Sequence, residues 1–587
     1  MDNKAVANIF YETADLMEVR GDDSFRIRSY RRAAEALEGL AEPLADLCHD
    51  EKALLAIPGI GKAMAGHIRD VCTTGKLSLH EELLTQFRPS MLELLKIQGL
   101  GPKTIALIWD AFQVCDPEGV EKLAREGKLR TLPRLSEKSE QKIIKAVENY
   151  RQLTGRFLLD TADEIARKMA ALLKDLPGVE KVTPAGSLRR GRETVGDLDL
   201  LVTGHCCASE DQRNRVIEEI LNFPGILEVL AKGENKVSFR LRSGLQVDVR
   251  LLPPDSFGAA LQYFTGSKNH NVSLRQRALR QGYTLNEYGL ARVEDNQHVA
   301  GKTEEEIYNK LGLRFIPPEL RENNGEIEAA EEGTLPELIT EADLQGDVHM
   351  HTVETDGKCT IEEMALAARD RGYKYMAITD HSKASFQANG LDAKRLREQI
   401  AAIKVLNEKI AARGSQFRLL TGSEVDILKD RLDFDDDVLA ELEVVVASLH
   451  VPSNNEAENT KRLIRAAENP HVHMLGHLTG RLLLEREPYP VNVTAVIDAC
   501  ADTGTWLELN CNPWRFDLDW RLWPYAKSKG VKCVINPDAH RNSHASFLRL
   551  GAGMARKGWL EQKDVLNILN LKTLYKELKR KGDKRET

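Results

Sequence analysis

Residues 186–202 read Gly-Ser-Leu-Arg-Arg-Gly-Arg-Glu-Thr-Val-Gly-Asp-Leu-Asp-Leu-Leu-Val, and no other stretch limits the fold as tightly. The last six form an apolar strand that carries carboxylates at Asp197 and Asp199. Side chains of a strand alternate between faces, so these two share one, roughly 6–7 Å apart along the chain. Carboxylates that close repel each other unless cations share the site, and hard oxygen donors suit Mg²⁺. Upstream, Gly186 and Ser187 supply close backbone approach and a hydroxyl, while Arg189 and Arg190 add fixed positive charge, a set that suits a triphosphate. A third acid, Asp248, sits in residues 245–252 (Leu-Gln-Val-Asp-Val-Arg-Leu-Leu), again a strand by alternation. A bare Asp-x-Asp would be an ordinary acidic strand edge. The Gly-Ser-x-x-Arg before it and the strand-borne third Asp after it argue for a site built for cations and phosphate.

This constellation closely resembles the palm of family X DNA polymerases, the relatives of polymerase beta. The match runs Gly-Ser-x-Arg-Arg-Gly, then Gly-Asp-x-Asp from Gly196, then Val-Asp-Val-Arg. The resemblance implies that Asp197 and Asp199 hold two ions, Mg²⁺ or Mn²⁺, and that Asp248 touches the catalytic one and helps activate the primer 3′-hydroxyl. It also assigns the outgoing β- and γ-phosphates of a dNTP to Ser187 and Arg190, framed by Gly186 and Gly196. Two ions about 4 Å apart would clamp the attacking and leaving oxygens of an in-line transfer.

A chain of 587 residues is too long for one core, so several domains are expected. There is no apolar run of about 18 residues and no charged-then-apolar leader pattern at the N-terminus, which excludes a membrane-spanning reading. Nine cysteines without a paired framework fit a reducing interior, and the family resemblance implies the cytoplasm of a prokaryote, with its nucleoid. The net charge of −8 does not exclude a nucleic-acid partner, because charge distribution matters more than the sum and acidic metal sites lower it.

Residues 3–47 show helical spacing, and residues 25–34 (Phe-Arg-Ile-Arg-Ser-Tyr-Arg-Arg-Ala-Ala) set four arginines beside a tyrosine. Residues 54–62 (Leu-Leu-Ala-Ile-Pro-Gly-Ile-Gly-Lys) and 95–104 (Leu-Lys-Ile-Gln-Gly-Leu-Gly-Pro-Lys-Thr) repeat one plan about 40 residues apart. Both resemble helix-hairpin-helix elements. Gly59 and Gly61, then Gly99 and Gly101, permit the tight turn, and Lys62 and Lys103 start helices whose N–H groups face a DNA phosphate. Such contacts position a duplex without reading its sequence. Residues 129–138 resemble a degenerate third copy without glycines and are read as structural. His67 stands where relatives with lyase activity carry a Schiff-base lysine, so that activity is left open.

After the palm, residues 261–275 (Leu-Gln-Tyr-Phe-Thr-Gly-Ser-Lys-Asn-His-Asn-Val-Ser-Leu-Arg) resemble the family's thumb. The resemblance implies a sugar pocket lined by Tyr263, Phe264 and Gly266, a base contact from Asn271 and a template contact from Arg275. Lys268 departs from the eukaryotic relatives, which carry an acid there, and its charge offers an added triphosphate contact. Residues 319–343 are acidic, poor in large apolar side chains, and read as a linker that lets the C-terminal half dock.

Nine of the 15 histidines lie beyond residue 344, at the ends of apolar runs. His349 and His351 share a strand face, with Asp356 in the turn that follows; His381, Glu424, His450, His477, Asp538 and His540 close later runs. Apolar strands separated by helical segments suggest a β/α barrel, which keeps its chemistry at C-terminal strand ends. Nine mixed nitrogen and oxygen ligands suffice for three divalent ions with open positions. The set resembles the PHP (polymerase and histidinol phosphatase) domain, from His-x-His through Pro-Asp-Ala-His. That resemblance implies a distorted seven-stranded barrel and a Mn²⁺-dependent 3′–5′ exonuclease, with 3′-phosphatase and abasic-site endonuclease activities as further options. Spacing does not separate Mn²⁺ from Zn²⁺ or Fe²⁺. Asn510, Asn512, Lys383 and Arg481 are candidate phosphate contacts.

The expected architecture is multidomain, α+β and α/β. Residues 1–80 form a small helix-hairpin-helix domain, 81–150 a fingers-like helical domain, 151–255 the nucleotidyltransferase palm and 256–318 the thumb. Then come the linker, a (β/α)7 PHP barrel over 344–575 and a fraying charged tail over 576–587. The expected function is gap-filling DNA synthesis in base excision repair, on gapped or nicked double-stranded DNA with dNTPs, by a monomer that also trims 3′ ends. Two alternatives stay open: a DNA-binding phosphoesterase with an inactive polymerase half, and a nucleotidyltransferase acting on a non-DNA acceptor.

Overall fold

A computed structural model of the chain describes residues 3–38, 44–48, 50–57, 59–87, 91–95, 97, 100–133, 135–153 and 155–583. The chain divides into two compact units, Met1–Thr154 and Gly155–Thr587.

The first unit is helical, and Phe10, Tyr30, Ile68 and Ile105 are among the side chains buried in its core. Its first hairpin joins α1 (Glu51–Ala56) to α2 (Lys62–Thr74); the second joins α3 (Met91–Leu94) to α4 (Pro102–Phe112). Gly59 turns with φ +90°, a conformation open to glycine at no steric cost. Gly61 and Gly101 cap α2 and α4 without a side-chain hydrogen bond, which leaves the first-turn N–H groups facing outward. Gly99 lies outside the described residues.

The second unit holds a five-stranded sheet in the order β1-β2-β5-β4-β3, made of Lys181–Pro184, Asp197–Thr203, Gln246–Leu251, Lys236–Leu241 and Ile226–Lys232. β2 and β5 run parallel at its centre, and every other neighbouring pair is antiparallel. The short helix α5 (Gly186–Arg189) lies between β1 and β2. Helices α6 (Phe257–Thr265) and α7 (Lys268–Arg280) and a three-stranded sheet (β6, Tyr283–Asn286; β7, Gly289–Arg292; β8, His298–Ala300) follow, then α8 (Glu304–Lys310).

Residues 319–343 are not a linker. They contain α9 (Glu326–Glu332) and a buried Arg321, and four of their acids are counter-charges for specific partners. Glu319 pairs with Arg556 (2.7 Å), Glu322 with Lys557 (2.6 Å), Glu326 with His270 (2.6 Å) and Glu331 with Arg277 (2.8 Å). An acidic composition signals a solvated segment only when no cations are built to meet it.

The rest of the unit is a barrel of seven parallel strands in sequence order: β9 (Gly346–Asp347), β10 (Tyr375–Ile378), β11 (Arg418–Asp426), β12 (Val444–Ser448), β13 (Met474–Leu475), β14 (Trp506–Asn510) and β15 (Cys533–Asn536). It nearly closes: beyond β9 the Val348 N–H donates to the Asn536 side chain at 3.1 Å, and Met350 bridges to Ala539. Helix α10 (Leu548–Lys557) follows β15, and α11 (Leu571–Asp583) ends the described chain. The expected charged tail is therefore helix as far as Asp583. Leu574 and Leu578 pack into the barrel's core, and the Tyr575 hydroxyl donates to Glu443 at 2.6 Å. Its charges share a helix with an apolar stripe, so charge content alone did not reveal the packing.

Candidate functional sites in palm and barrel

In the palm, the β2–β5 register sets Asp199 directly opposite Asp248, with Asp197 one pleat earlier at the exposed strand end. Burial, then the charges of Asp197 and Asp248, push the Asp199 carboxyl up to about 7. Burial would also raise Asp248, but the neighbouring Ser238 hydroxyl and the Lys236 ammonium, 2.9 Å away, hold it below the usual range. Lys236 could have been found from its strand position, two residues from Ser238, the cross-strand partner of Asp248, and so on the same sheet face as that acid.

Gly186 takes φ +59°, and a Cβ there would lie 2.7 Å from Asp199 Oδ2. The backbone thus passes under the acid, and Ser187 follows in the first turn of α5. Arg190 does not point free. Its Nε donates to Glu322 at 3.1 Å and its Nη1 to the Thr265 carbonyl. Gly266, with φ +70°, passes so close that a Cβ would lie 3.1 Å from Arg190 Nη1. Arg189 turns instead to buried Glu304, which also holds Arg321. Burial would raise Glu304, but the two guanidiniums hold it down to about 2.

Tyr263 and Phe264 meet edge to face with centroids 5.1 Å apart, and Arg250 lies over the Phe264 ring at 4.2 Å. The Asn271 amide donates to the Tyr263 carbonyl (2.7 Å) and accepts from Gln262 (2.7 Å), so it braces the α6–α7 corner. Arg275 and Lys268 are exposed on α7, and Gly196 borders the Gly155 carbonyl. In the helical unit Lys62 and Lys103 stand exposed at the starts of α2 and α4. His67 stacks on Tyr30, whose hydroxyl is 3.1 Å from Nδ1, and burial lowers its pKa.

In the barrel all nine expected ligand residues come together at the C-terminal strand ends. His351, Asp356, His381 and His540 make one group with ligand atoms within 4.8 Å of one another; His349, His351 and Glu424 make a second; His381, Glu424 and His450 a third. His477 reaches Glu424 at 2.8 Å, and Asp538 lies 3.2 Å from His351. Among the described residues such tight groupings occur only here, and the palm acids are more widely spread. Both ring nitrogens of His351, His349 Nε2 and Glu424 Oε2 are buried without a hydrogen bond among the described residues. Burial would raise the Glu424 carboxyl, yet His450, His381 and His349 hold it far below its ordinary range. His477 (φ +24°) and Asp538 (φ +50°) take left-handed backbone, and such strain gathers at working sites.

Carboxylates behind the ligands orient them, and sequence reasoning missed these. Glu508 accepts from His349 Nδ1 (2.6 Å), the His477 N–H (2.7 Å) and the Asn536 amide (3.0 Å). Asp426 holds His450 Nδ1 at 2.8 Å. The signal was present: Asp426 lies two residues after Glu424 on one strand, and Glu508 is an acid inside an apolar strand.

Two of the four candidate phosphate contacts are committed elsewhere. The Arg481 guanidinium is spent on the Arg515 and Phe516 carbonyls and Asp519, and Asn510 donates to Asp538 (3.1 Å) and Glu508 (3.2 Å). Asn512 caps the turn at Trp514, and Lys383 is exposed and does not line the cavity. Arg515, by contrast, lines the cavity of about 340 Å³ over the ligands, together with Arg486 and Tyr489, and lies 3.5 Å from Asp538.

Strand-borne acids over a glycine turn, joined in one unit to a histidine-rich parallel barrel, have the layout of a nucleotidyltransferase palm coupled to a barrel whose clustered side chains could hold metal ions. Family models agree: a helix-hairpin-helix domain matches residues 1–77, a SAM-like helix-hairpin-helix tandem 91–149, the DNA polymerase beta thumb 260–322 and the PHP domain 347–506. The DNA polymerase/3′-5′ exonuclease PolX of Bacillus subtilis (strain 168) is 39% identical over 99% of this chain and 100% of its own length. A probable phosphatase of Thermoanaerobacter sp. (strain X514) is 28% identical over 40% of this chain and 96% of its own. DNA polymerase lambda of Arabidopsis thaliana is 25% identical over 54% and 62%. The chain belongs to the family X DNA polymerases that carry a PHP domain. No described helix is long and apolar enough to cross a membrane.

Proposed function

We infer that the chain is a DNA polymerase and 3′–5′ exonuclease that fills short gaps during repair, with one active site in the palm and another in the barrel. The observation that carries the palm reading is Asp199 facing Asp248 across parallel strands above the Gly186 turn. Asp199, pushed up to about 7 by burial and two like charges, is a carboxylate that gains from a nearby cation, so the acids fit Mg²⁺ or Mn²⁺. Asp197 and Asp199 would hold both ions, and Asp248 would face the primer 3′-hydroxyl. Ser187 and Arg190 would meet the phosphates, Tyr263, Phe264 and Gly266 the sugar, and the hairpin lysines and Arg275 the DNA backbone.

The barrel's unpaired buried nitrogens and its carboxylates fit two or three divalent ions of the Mn²⁺, Zn²⁺ or Fe²⁺ kind. Bound there, such ions would supply Lewis acidity and activated water for phosphoester cleavage. The residues' own tasks are to hold the ligands in place, through Glu508 and Asp426, and to receive the phosphate, through Arg515. Similarity to a probable phosphatase supports a phosphatase activity in the barrel beside trimming, for which 3′-phosphate ends would be the substrates.

The test follows a labelled primer on one-nucleotide-gapped DNA with Mg²⁺ or Mn²⁺, in wild type, Asp197→Ala/Asp199→Ala and His349→Ala/His351→Ala. The first variant should lose extension and keep 3′ trimming, and the second the reverse. A wild type that never extends removes the polymerase reading. A histidine variant that still trims removes the barrel as the nuclease.

A further inference from the structure

Lys557 closes α10 on the barrel side, touches none of the barrel's metal-ligand residues, and is fully buried. Its ammonium donates to the Arg190 carbonyl (3.0 Å), the Glu319 carbonyl (3.2 Å) and the Glu322 carboxylate (2.6 Å), and the Trp520 ring centroid lies 4.6 Å away. Three N–H donors thus find three acceptors. Burial pushes this ammonium down to about 8, with Glu322 the first group opposing that fall. An apolar side chain of similar length would fill the space without desolvating a charge, so packing alone does not account for a lysine here.

Its partners belong to the other half of the unit. Glu322 is the carboxylate that receives Arg190 Nε, and Arg192 stands 3.6 Å from its second oxygen. The main chain of Arg190 and its guanidinium are therefore tied, directly and through Glu322, to a residue of the barrel. With Nε on Glu322 and Nη1 on the Thr265 carbonyl, the guanidinium can turn only if one of those bonds breaks. Nη2 is left to donate elsewhere.

We propose that Lys557 is a positioning residue of the polymerase site: by holding Glu322 and the Arg190 carbonyl, it aims the Arg190 guanidinium at the triphosphate of the incoming nucleotide. The inference rests on the reading of Arg190 as a phosphate contact. It makes the barrel a structural part of nucleotide binding, apart from its own metal chemistry. Because Lys557 touches neither the palm acids nor the barrel ligands, its loss should fall on nucleotide KM and spare kcat and 3′ trimming.

The experiment measures single-nucleotide insertion on one-nucleotide-gapped DNA with the full chain, alongside Mn²⁺-dependent 3′ trimming and thermal unfolding. The variants are Lys557→Met, Glu322→Gln, the double variant and Arg190→Met. Lys557→Met should raise nucleotide KM about tenfold, the scale of one charge-assisted hydrogen bond, with kcat within about threefold. Glu322→Gln keeps the shape and should act alike, which carries the test if Lys557→Met does not fold. Acting on one path, the two changes together should again give about tenfold rather than their product. An unchanged KM, multiplicative effects, or a parallel loss of kcat and trimming would overturn the proposal and leave Lys557 as domain glue. If Arg190→Met itself leaves KM unchanged, the phosphate reading of Arg190 falls, and the proposal with it. If Arg190→Met raises KM and Lys557→Met does not, the proposal alone falls.

Discussion

Alanine at position 186 separates stability from catalysis. At φ +59° an alanine costs about 1–2 kcal/mol relative to glycine. Its Cβ would sit 2.7 Å from Asp199 Oδ2, where ordinary contact begins at 3.4 Å, so the carboxylate must retreat by about 0.7 Å. Because the obstacle is the far end of a side chain, the fold gives way there and little is added to the stability cost. Catalysis is less forgiving, since a misplacement of about 1 Å costs on the order of 100-fold. Gly186→Ala should therefore lower kcat/KM for gap filling by about 10- to 100-fold. The same protein should lose only about 1–2 kcal/mol on denaturant unfolding and trim 3′ ends at the wild-type rate. Steady-state insertion and trimming measured on one preparation check this. Extension within about threefold of wild type would refute the steric argument, and an equal loss of both activities would show a folding defect instead.

Asp248→Asn should reduce extension by at least about 100-fold with trimming intact, as seen in the same primer assay, because a metal ligand should matter more than the groups behind it. Glu508→Gln leaves the ligands in place but loosens the carboxylate's grip on His349 and His477; metal affinity of the barrel should fall about 10–100-fold by competition with a chelating dye. Chelator treatment should abolish trimming and lower the barrel's thermal stability, and ions restored at about 100 times their Kd should return roughly 2.7 kcal/mol. Lys62→Ala should weaken binding to gapped duplexes uniformly across sequences and reduce the salt slope by about 1.

What the sequence could reveal depended on whether the information was local. Strand alternation put Asp197 and Asp199 on one face, and the isolated histidines after apolar runs marked the barrel's C-terminal rim. The partners of charged groups were not local. Residues 319–343 look alike whether their glutamates face water or Arg556, Lys557, His270 and Arg277, which lie up to about 240 positions away. The same limit misassigned Arg481 and Asn510: a polar residue near a metal site can serve substrate or scaffold, and only its hydrogen bonds tell which. Glu508 was a different case. A buried acid in an apolar strand is a local oddity, and it was legible but passed over.

The palm and barrel are sewn together beyond the Lys557 contact. Glu193 accepts from the Trp520 indole and the Arg521 guanidinium, each at 2.9 Å, and Asp163 pairs with Arg549. Two centres fastened in one body cannot hand a primer across by swinging a hinge between them; the strand itself must do the travelling. Editing then becomes a race between the next nucleotide and the release of the primer end. Its outcome is set by nucleotide supply and by how easily that end frays, so a mispaired terminus, slow to extend and quick to melt, selects its own removal.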